Sequence, residues 1–399
     1  MPVDHSVLRA SFAVVERRAD QLTKYFYAHL FTHNPGIRAL FPERMDEQRD
    51  RLFGALTQLV LRLTEPDRLA GYLAALGRDH RKFRVVPGHY PAVGESLIAT
   101  IRHFSGHYWT PETEKAWTEA YTVISQAMIE AAGELPATTP RWWQAQVVRR
   151  HRAAADLVRL TLAPDRPYPF TAGQYLSLCS PRLPQVWRPY SIACAPRADG
   201  TIDLHVRRVP GGLLSSLLVN DVMPEESLRI GPPLGDAVLA PGSARPLIAV
   251  AGGTGWAQIK SVLEQVALDG GRPTSLYLAA RRHGEQYDLE SVRRLAALHR
   301  WLDVTLTSPP DGSRYEDGVG LLCERLGRHH DCSGHDVHLS GPPGLATRLT
   351  DQLIRQGARP ELIRADPAPV TFNRVRPVTS PEWFLDLRDV PWINRTEYG

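Results

Sequence analysis

With 399 residues, the chain has room for about three domains of ordinary size, each with an adequate core. Basic and acidic residues are interspersed and leave a formal net charge of only +4, so no nucleic-acid face is implied; no run is apolar for long enough to span a membrane, and no basic-then-apolar leader opens the chain. Cys179, Cys194, Cys323 and Cys332 lack metal-ligand spacing, which argues for reduced thiols in a cytoplasmic protein and against a disulfide frame or an iron–sulfur cluster.

The first 135 residues show no strand-like alternation and read as a run of amphipathic helices, entered at Ser6. Phe12, Val15, Ala19, Leu22 and Phe26 share one helical face; Gln48, Leu52, Leu56, Leu59 and Leu63 share another, with Asp46, Arg49 and Asp50 on the wet side. Thr110-Pro111-Glu112 supplies a cap, a first-turn proline and an N-terminal acid. Trp117, Tyr121, Ile124 and Met128 follow at helical spacing, so a third long helix closes this part. Gly133-Glu134-Leu135-Pro136-Ala137-Thr138-Thr139-Pro140 is a linker by composition, and Pro241-Gly242-Ser243 marks a second boundary. The expected divisions are 1–135, 141–242, 244–368 and a C-terminal extension, 369–399. That extension carries Trp383, Phe384, Leu385 and Trp392, too apolar for a free tail, and is expected to pack over a domain.

In the second division, Phe170-Thr171-Ala172-Gly173-Gln174-Tyr175-Leu176 precedes Arg188-Pro189-Tyr190-Ser191. The latter offers a cation for a pyrophosphate, an aromatic ring for a flat cofactor and a small hydroxyl for its edge. Arg188 and Tyr190 are two apart and leave one strand face, while Pro189 points away and implies an edge or bulged position. Read alone, the same residues are a surface arginine beside a core tyrosine. Arg207-Arg208-Val209-Pro210-Gly211-Gly212-Leu213-Leu214-Ser215 follows. Its glycines let backbone N–H groups approach an anion and Ser215 can open a helix, though a hairpin turn is an equally simple reading.

In the third division, Pro246-Leu247-Ile248-Ala249-Val250-Ala251 is a short apolar run that leads through Gly252-Gly253-Thr254-Gly255 into a helical pattern from Trp256. Strand, glycine loop and helix is the arrangement that sets a helix N-terminus against a pyrophosphate, although this loop is not the strict dinucleotide fingerprint and alone could be a structural turn. Leu276–Ala280 is the next buried strand. Arg281-Arg282 stand at its carboxyl end, fitted either to a 2′-phosphate or to solvent as a charge pair.

Phe170–Leu176, Arg188–Ser191, Ala251–Gly255 and Leu339-Ser340-Gly341-Pro342-Pro343, in this order and spacing, resemble the ferredoxin-reductase-like FAD/NAD(P)H module. Within the helical part, Tyr25-Phe26-Tyr27-Ala28-His29-Leu30-Phe31-Thr32-His33-Asn34-Pro35, then Phe41, Gln48, His80 and Tyr90, resemble the globin domain of the flavohaemoglobins, and the three parts follow that family's order. The resemblance implies a multidomain α+β chain: an all-α globin, an antiparallel β-barrel FAD domain and an α/β nucleotide-binding domain.

It also implies haem b, FAD and NADH or NADPH as cofactors. His80, 32 residues after Gln48, would be the axial ligand of the iron, with His29, His33, His89, His103 and His107 as rivals that do not keep this spacing. Tyr27 and Gln48 would donate to O2 at the iron, Leu52 would form the apolar wall, Phe41 would pack on the porphyrin edge and Tyr90 would orient the proximal imidazole. Gln174, Tyr175, Arg188, Tyr190 and Ser191 would hold FAD, with Gly211, Gly212 and Ser215 at its phosphates. Gly252, Gly253, Thr254, Gly255, Arg281, Gly341 and Pro342 would receive the nicotinamide nucleotide. The implied activity is that of a nitric oxide dioxygenase acting as a monomer on O2, NO and NAD(P)H. A reductase feeding another acceptor and a haem-based oxygen or redox sensor are the alternatives.

The chain departs from that family in four places. Ala132 stands where a proximal glutamate is common; Glu130 and Glu134 are two residues away, which turns a helix side chain by about 200°. Asp79 precedes His80 where a base is usual. Ser340 replaces a cysteine beside the nicotinamide, and Gly252–Gly255 resembles the loop of oxygenase reductases more than that of flavohaemoglobins.

Overall fold

The computed structural model describes residues 4–64, 66–136, 139–279, 287–307, 315–327 and 331–367. The expected packing of the C-terminal extension and the positions of Arg281 and Arg282 lie outside these residues.

Six α-helices come first: α1 (His5–Val15), α2 (Ala19–His33), α3 (Asp46–Leu61), α4 (Pro66–His80), α5 (Tyr90–Ser105) and α6 (Pro111–Gly133). The Asp4 carboxylate caps α1, accepting the Ser6 and Val7 amides at 3.0 and 3.2 Å, so the helix begins one residue earlier than its sequence pattern suggests. The face expected to run unbroken from Phe12 to Phe26 is divided. A 3-10 turn over the consecutive charges Glu16-Arg17-Arg18 separates α1 from α2, and Ala19 at the break is only half-buried while Phe12, Val15, Leu22 and Phe26 are fully buried. Thr110 caps α6 as expected: its hydroxyl accepts the Thr113 amide at 3.2 Å, with Pro111 in the first turn, an arrangement that contributes about 1 kcal/mol. Two glycines permit close helix packing. A Cβ on Gly77 of α4 would lie 2.3 Å from the Met128 carbonyl oxygen of α6, and one on Gly94 of α5 would lie 2.5 Å from the Tyr121 ring.

A six-stranded antiparallel sheet follows, formed by β1 (Trp143–Ala154), β2 (Leu157–Pro164), β3 (Tyr175–Cys179), β4 (Arg188–Ser191), β5 (Ile202–Arg207) and β6 (Ser227–Ile230) in the order β4-β3-β6-β1-β2-β5. A bridge between Ile192 and Leu204 joins its two ends and closes it as a barrel. Strand β4 is terminal in the ladder, where Pro189 has no sheet hydrogen bond to withhold. The apolar interior, from Val147 and Leu160 to Leu204 and Ile230, is sealed at one end by α7 (Leu213–Asn220) through Leu214 and Leu218.

The last part is a parallel sheet of β7 (Leu247–Gly252), β8 (Thr274–Ala279), β9 (Leu302–Thr307), β10 (Asp336–Gly341) and β11 (Ile363–Pro367), ordered β11-β10-β7-β8-β9. It is covered by α8 (Trp256–Leu268), α9 (Leu289–Leu298), α10 (Tyr315–Leu326) and α11 (Pro343–Arg355). Every residue of β7 is buried, as expected of a strand covered on both faces. The strand order reverses between β7 and β10, which makes the carboxyl ends of these two strands the topological switch point.

Candidate functional site

In the helical part, His80 is the last residue of α4, and its Nδ1 lies 2.7 Å from the Leu76 carbonyl one turn back. A carbonyl only accepts, so Nδ1 carries the proton and Nε2 presents its lone pair. Burial pushes the imidazole pKa below its ordinary value, which outweighs the attraction of Asp79 and favours the neutral form. A neutral ring held by a backbone carbonyl, with a free Nε2, is the state that binds iron. The rival histidines are placed differently. His33, His103 and His107 are exposed, His29 stacks on His33 at 4.0 Å and bonds Ser96, and the Nδ1 of His89 accepts the Val86 amide.

Across the helical core, the Tyr27 ring lies edge-on to Phe41 at 5.5 Å and is almost fully buried. Burial raises its hydroxyl pKa, so the group stays protonated and can donate. At present it donates to the Gln48 backbone carbonyl over 3.3 Å, a long bond that a stronger acceptor can displace. Phe41, Leu52 and Tyr90 line the same core as half-buried side chains. The Nδ1 proton of His80 goes to the Leu76 carbonyl and not to Tyr90, whose backbone carbonyl accepts the Tyr121 hydroxyl at 2.6 Å. Glu130 and Glu134 are exposed, and Glu130 accepts from Gln126, so neither replaces a proximal glutamate.

In the barrel, β3 and β4 pair Tyr175 with Ser191, Leu176 with Tyr190 and Leu178 with Arg188. Burial lowers the Arg188 pKa and raises that of Tyr190, so the strand presents one cation and one neutral phenol. Gln174 braces the preceding turn, accepting the Thr171 amide at 2.8 Å and donating to the Gly235 carbonyl at 3.3 Å. Beyond β5, Gly211 takes φ +74° and Gly212 occupies the N-cap of α7. Ser215 is the third residue of α7 and not its first; its hydroxyl accepts the Val209 amide at 3.0 Å and so closes the loop that carries the glycines.

In the nucleotide-binding part, Gly253-Thr254-Gly255 forms a single tight turn between β7 and α8. Gly253 is exposed with φ +55° and open space at its Cβ position, so its backbone is free to meet a phosphate. Gly255 and Gly252 serve packing: a Cβ on Gly255 would lie 2.3 Å from the Ser340 carbonyl oxygen, and one on Gly252 would lie 2.7 Å from Leu345. Gly341 lies against Gly252, and Pro342 caps α11, so both expected loops meet at the switch point.

Sequence reasoning missed the groups that lock these parts together. Helix α8 is fixed to the barrel: Lys260 donates to the Ala193 carbonyl at 2.9 Å, two residues beyond Ser191, and Ser261 accepts the Gly173 amide at 2.9 Å. Buried Asp288 accepts from Arg159 of β2 at 2.6 Å and from Trp256 at 2.9 Å, while His205 of β5 bonds the Tyr287 hydroxyl at 2.8 Å. The glycine loop and the flavin-type strand are thereby held in one frame. On the helical side, Lys82 pairs with Asp79 and donates to Ser177 of β3 at 2.9 Å, and Arg51 of α3 donates to the Trp187 carbonyl at 2.9 Å. Only the Asp79–Lys82 spacing left a signal in the sequence, as a neighbouring acid–base pair on a helix; the other contacts join residues far apart in the chain.

This fold, with its histidine-bearing helical core, defines a globin joined to a flavin- and nicotinamide-dependent oxidoreductase. Residues 24–128 match the globin family, residues 144–238 the oxidoreductase FAD-binding domain and residues 249–351 the oxidoreductase NAD-binding domain. A flavohemoprotein of Chromobacterium violaceum is 26% identical over 390 residues, covering 90% of this chain and 95% of that protein. One from Bordetella pertussis is 28% identical over 316 residues, covering 74% and 79%. Among solved structures, a Malassezia yamatoensis flavohemoglobin with bound FAD and heme superposes with a TM-score of 0.72 at 19% identity, covering 92% of this chain and 98% of its own. An Amycolatopsis cytochrome P450 reductase matches with a TM-score of 0.50 at 27% identity, covering 56% and 69%. The chain is a divergent member of the flavohaemoglobin family, and its cofactors are haem, FAD and a nicotinamide nucleotide. Among the described residues no helix is long and apolar enough to cross a membrane.

Proposed function

We propose that the protein is an NAD(P)H-dependent nitric oxide dioxygenase. The observation that carries this reading is the neutral His80 with its Nδ1 proton on Leu76, in the same helical part as a protonated, weakly committed Tyr27 hydroxyl. When bound, haem supplies the iron at which O2 and NO combine to nitrate, and FAD converts the hydride of the nicotinamide into single electrons.

The residues of the chain do the rest. His80 offers Nε2 to the iron, and Leu76 prevents the ring from flipping. The Tyr27 O–H, which now donates to the Gln48 backbone carbonyl, would donate to the charge that O2 gains, and the Gln48 side chain would be the second donor. Phe41 and Leu52 keep water from that face. Arg188, Tyr190 and Ser191, with Gln174, Tyr175 and the loop at Gly211, Gly212 and Ser215, hold FAD. Gly252 to Gly255, with Gly341 and Pro342, admit the nucleotide, and the Lys260 and Ser261 bonds set the distance between the two. The test is His80→Ala in the full chain: the haem Soret band is lost while FAD is retained and still reduced by NADH. Retention of an unchanged Soret band refutes the assignment.

The glycine loop and the Amycolatopsis cytochrome P450 reductase likeness favour a second reading, a reductase whose globin passes electrons to another acceptor. That reading does not need Tyr27, and turnover that survives Tyr27→Phe unchanged selects it.

A further inference from the structure

Trp187 immediately precedes the Arg188–Ser191 strand and is buried between helical part and barrel. Its ring meets Phe83 edge-on at 6.4 Å, and Phe83 in turn meets His80 edge-on at 6.2 Å. These separations lie within the range of aromatic contact, so an unbroken aromatic line runs from the imidazole of the candidate iron ligand to the residue beside the candidate flavin arginine. The line is fastened at several points. The Lys82 ammonium stands 4.9 Å from the Phe83 centroid and 5.3 Å from that of Trp187, held in place by both Asp79 oxygens and by Ser177. Arg51 of α3 and Arg188 both donate to the Trp187 carbonyl at 2.9 Å, and Gln185 donates to the Ala39 carbonyl at 2.8 Å. Helix α3, the 3-10 turn Arg81–Phe83 that follows α4 and the 3-10 turn Pro35–Leu40 therefore all hold this one segment. A simple domain contact needs no such alignment of rings, and burying a lysine is costly unless it is paired and used.

We propose that Trp187 and Phe83 form the through-protein contact by which electrons pass from the flavin strand to the His80 helix, with Lys82 as the residue that positions them. The inference rests on the haem and FAD assignments above. One hydride gives two electrons, which reduce ferric iron to ferrous in two single transfers; the balance is NADH plus two ferric irons giving NAD+, two ferrous irons and one proton released to water.

The experiment mixes the haem- and FAD-loaded full chain with NADH without oxygen and follows flavin bleaching and the Soret shift in the same trace. The ratio of the haem-reduction rate to the flavin-reduction rate is the readout; rescue by Trp187→Phe, which keeps an aromatic ring, together with an unmoved ferric Soret band separates loss of the aromatic path from loosening of the junction. Trp187→Leu and Phe83→Leu are expected to lower it about tenfold or more, about 1.4 kcal/mol of barrier, with the ferric Soret band unmoved; Trp187→Phe restores most of it. An unchanged ratio in both leucine variants overturns the proposal. If Trp187→Leu loses a cofactor, Phe83→Leu decides, because Phe83 lies outside the flavin strand. A parent protein that takes up no haem or no FAD overturns the underlying assignments, which its own spectrum shows before any variant is compared.

Discussion

Two glycines on α4 test whether the close packing of α4 on α6 sets the position of His80. At Gly77 an added Cβ would lie 2.3 Å from the Met128 carbonyl oxygen, 2.7 Å from its Cα and 2.9 Å from its carbonyl carbon. All three are backbone atoms, so no rotamer change relieves the clash. An ordinary carbon contact of about 3.5 Å requires α4 to retreat from α6 by about 1 Å. Overpacking of this kind costs about 1–3 kcal/mol. Gly71, two turns earlier on the same helix, has nothing within 4 Å of its Cβ position, so alanine there gains about 0.5–1 kcal/mol from helix propensity alone. Gly77→Ala is expected to destabilise and Gly71→Ala to stabilise, although the chemical change is identical. Because the three parts need not unfold as one, the assay is local: the temperature at which the Soret band is lost from the haem-loaded chain. For a part of this size each kcal/mol is worth about 4 °C, so Gly77→Ala falls by about 4–12 °C and Gly71→Ala rises by a few degrees. Haem also leaves Gly77→Ala faster, since His80 lies one turn further along the displaced helix. Equal midpoints for both variants would refute the claim that this contact positions His80.

Other outcomes follow from single side chains. Tyr27→Phe keeps the aromatic packing against Phe41 and removes the hydroxyl. Nitrate formation is expected to drop by about a hundredfold and O2 to leave the ferrous protein faster, while hydride transfer to FAD is unaffected; stopped-flow traces with O2 and NO check this. His338 on β10 is buried with its Nδ1 unpartnered, and burial depresses its pKa to about 3 from 6.5. Between these values the unfolded chain binds a proton that the folded chain refuses. Stability is therefore full above pH 6.5 and falls as the pH drops, by about 1.4 kcal/mol per pH unit from this group. Denaturant titrations between pH 7 and pH 5 should show that slope lessened by about one proton in His338→Leu, and an unaltered slope would show that His338 does not contribute. Asp288→Asn removes the charge that pairs with the partly exposed Arg159 and weakens the bonds Asp288 accepts from Arg159 and Trp256, a loss of about 1–3 kcal/mol; flavin reduction by NADH should slow as the barrel and α8 loosen, which rapid-mixing absorbance at the flavin band measures.

Local chemistry was legible in the sequence wherever it repeats within a few residues. The cap at Thr110, the strand–glycine–helix run at Leu247 to Trp256 and the edge position implied by Pro189 each depend on adjacent residues, and each takes the expected form. The break at Glu16 to Arg18 was hidden because the apolar spacing is nearly the same on both sides of a 3-10 turn. His80 was singled out by the family resemblance and its spacing from Gln48, but its hydrogen-bond partner left no mark. A histidine can bond the carbonyl four residues back without any distinctive residue there, so Leu76 carried no signal. Trp187, Lys260, Asp288 and His205 went unnoticed for a different reason: each acts across a junction between sequence-distant parts, and one sequence contains no register for such pairs.

The most direct measurement follows the Soret band of the haem- and FAD-loaded chain as NADH is added without oxygen, then O2, then nitric oxide. The account predicts ferrous haem after NADH, an oxygenated spectrum after O2, and one nitrate per nitric oxide with return of ferric haem. Haem that stays ferric while the flavin is reduced, or an oxygenated form that yields no nitrate, would contradict it.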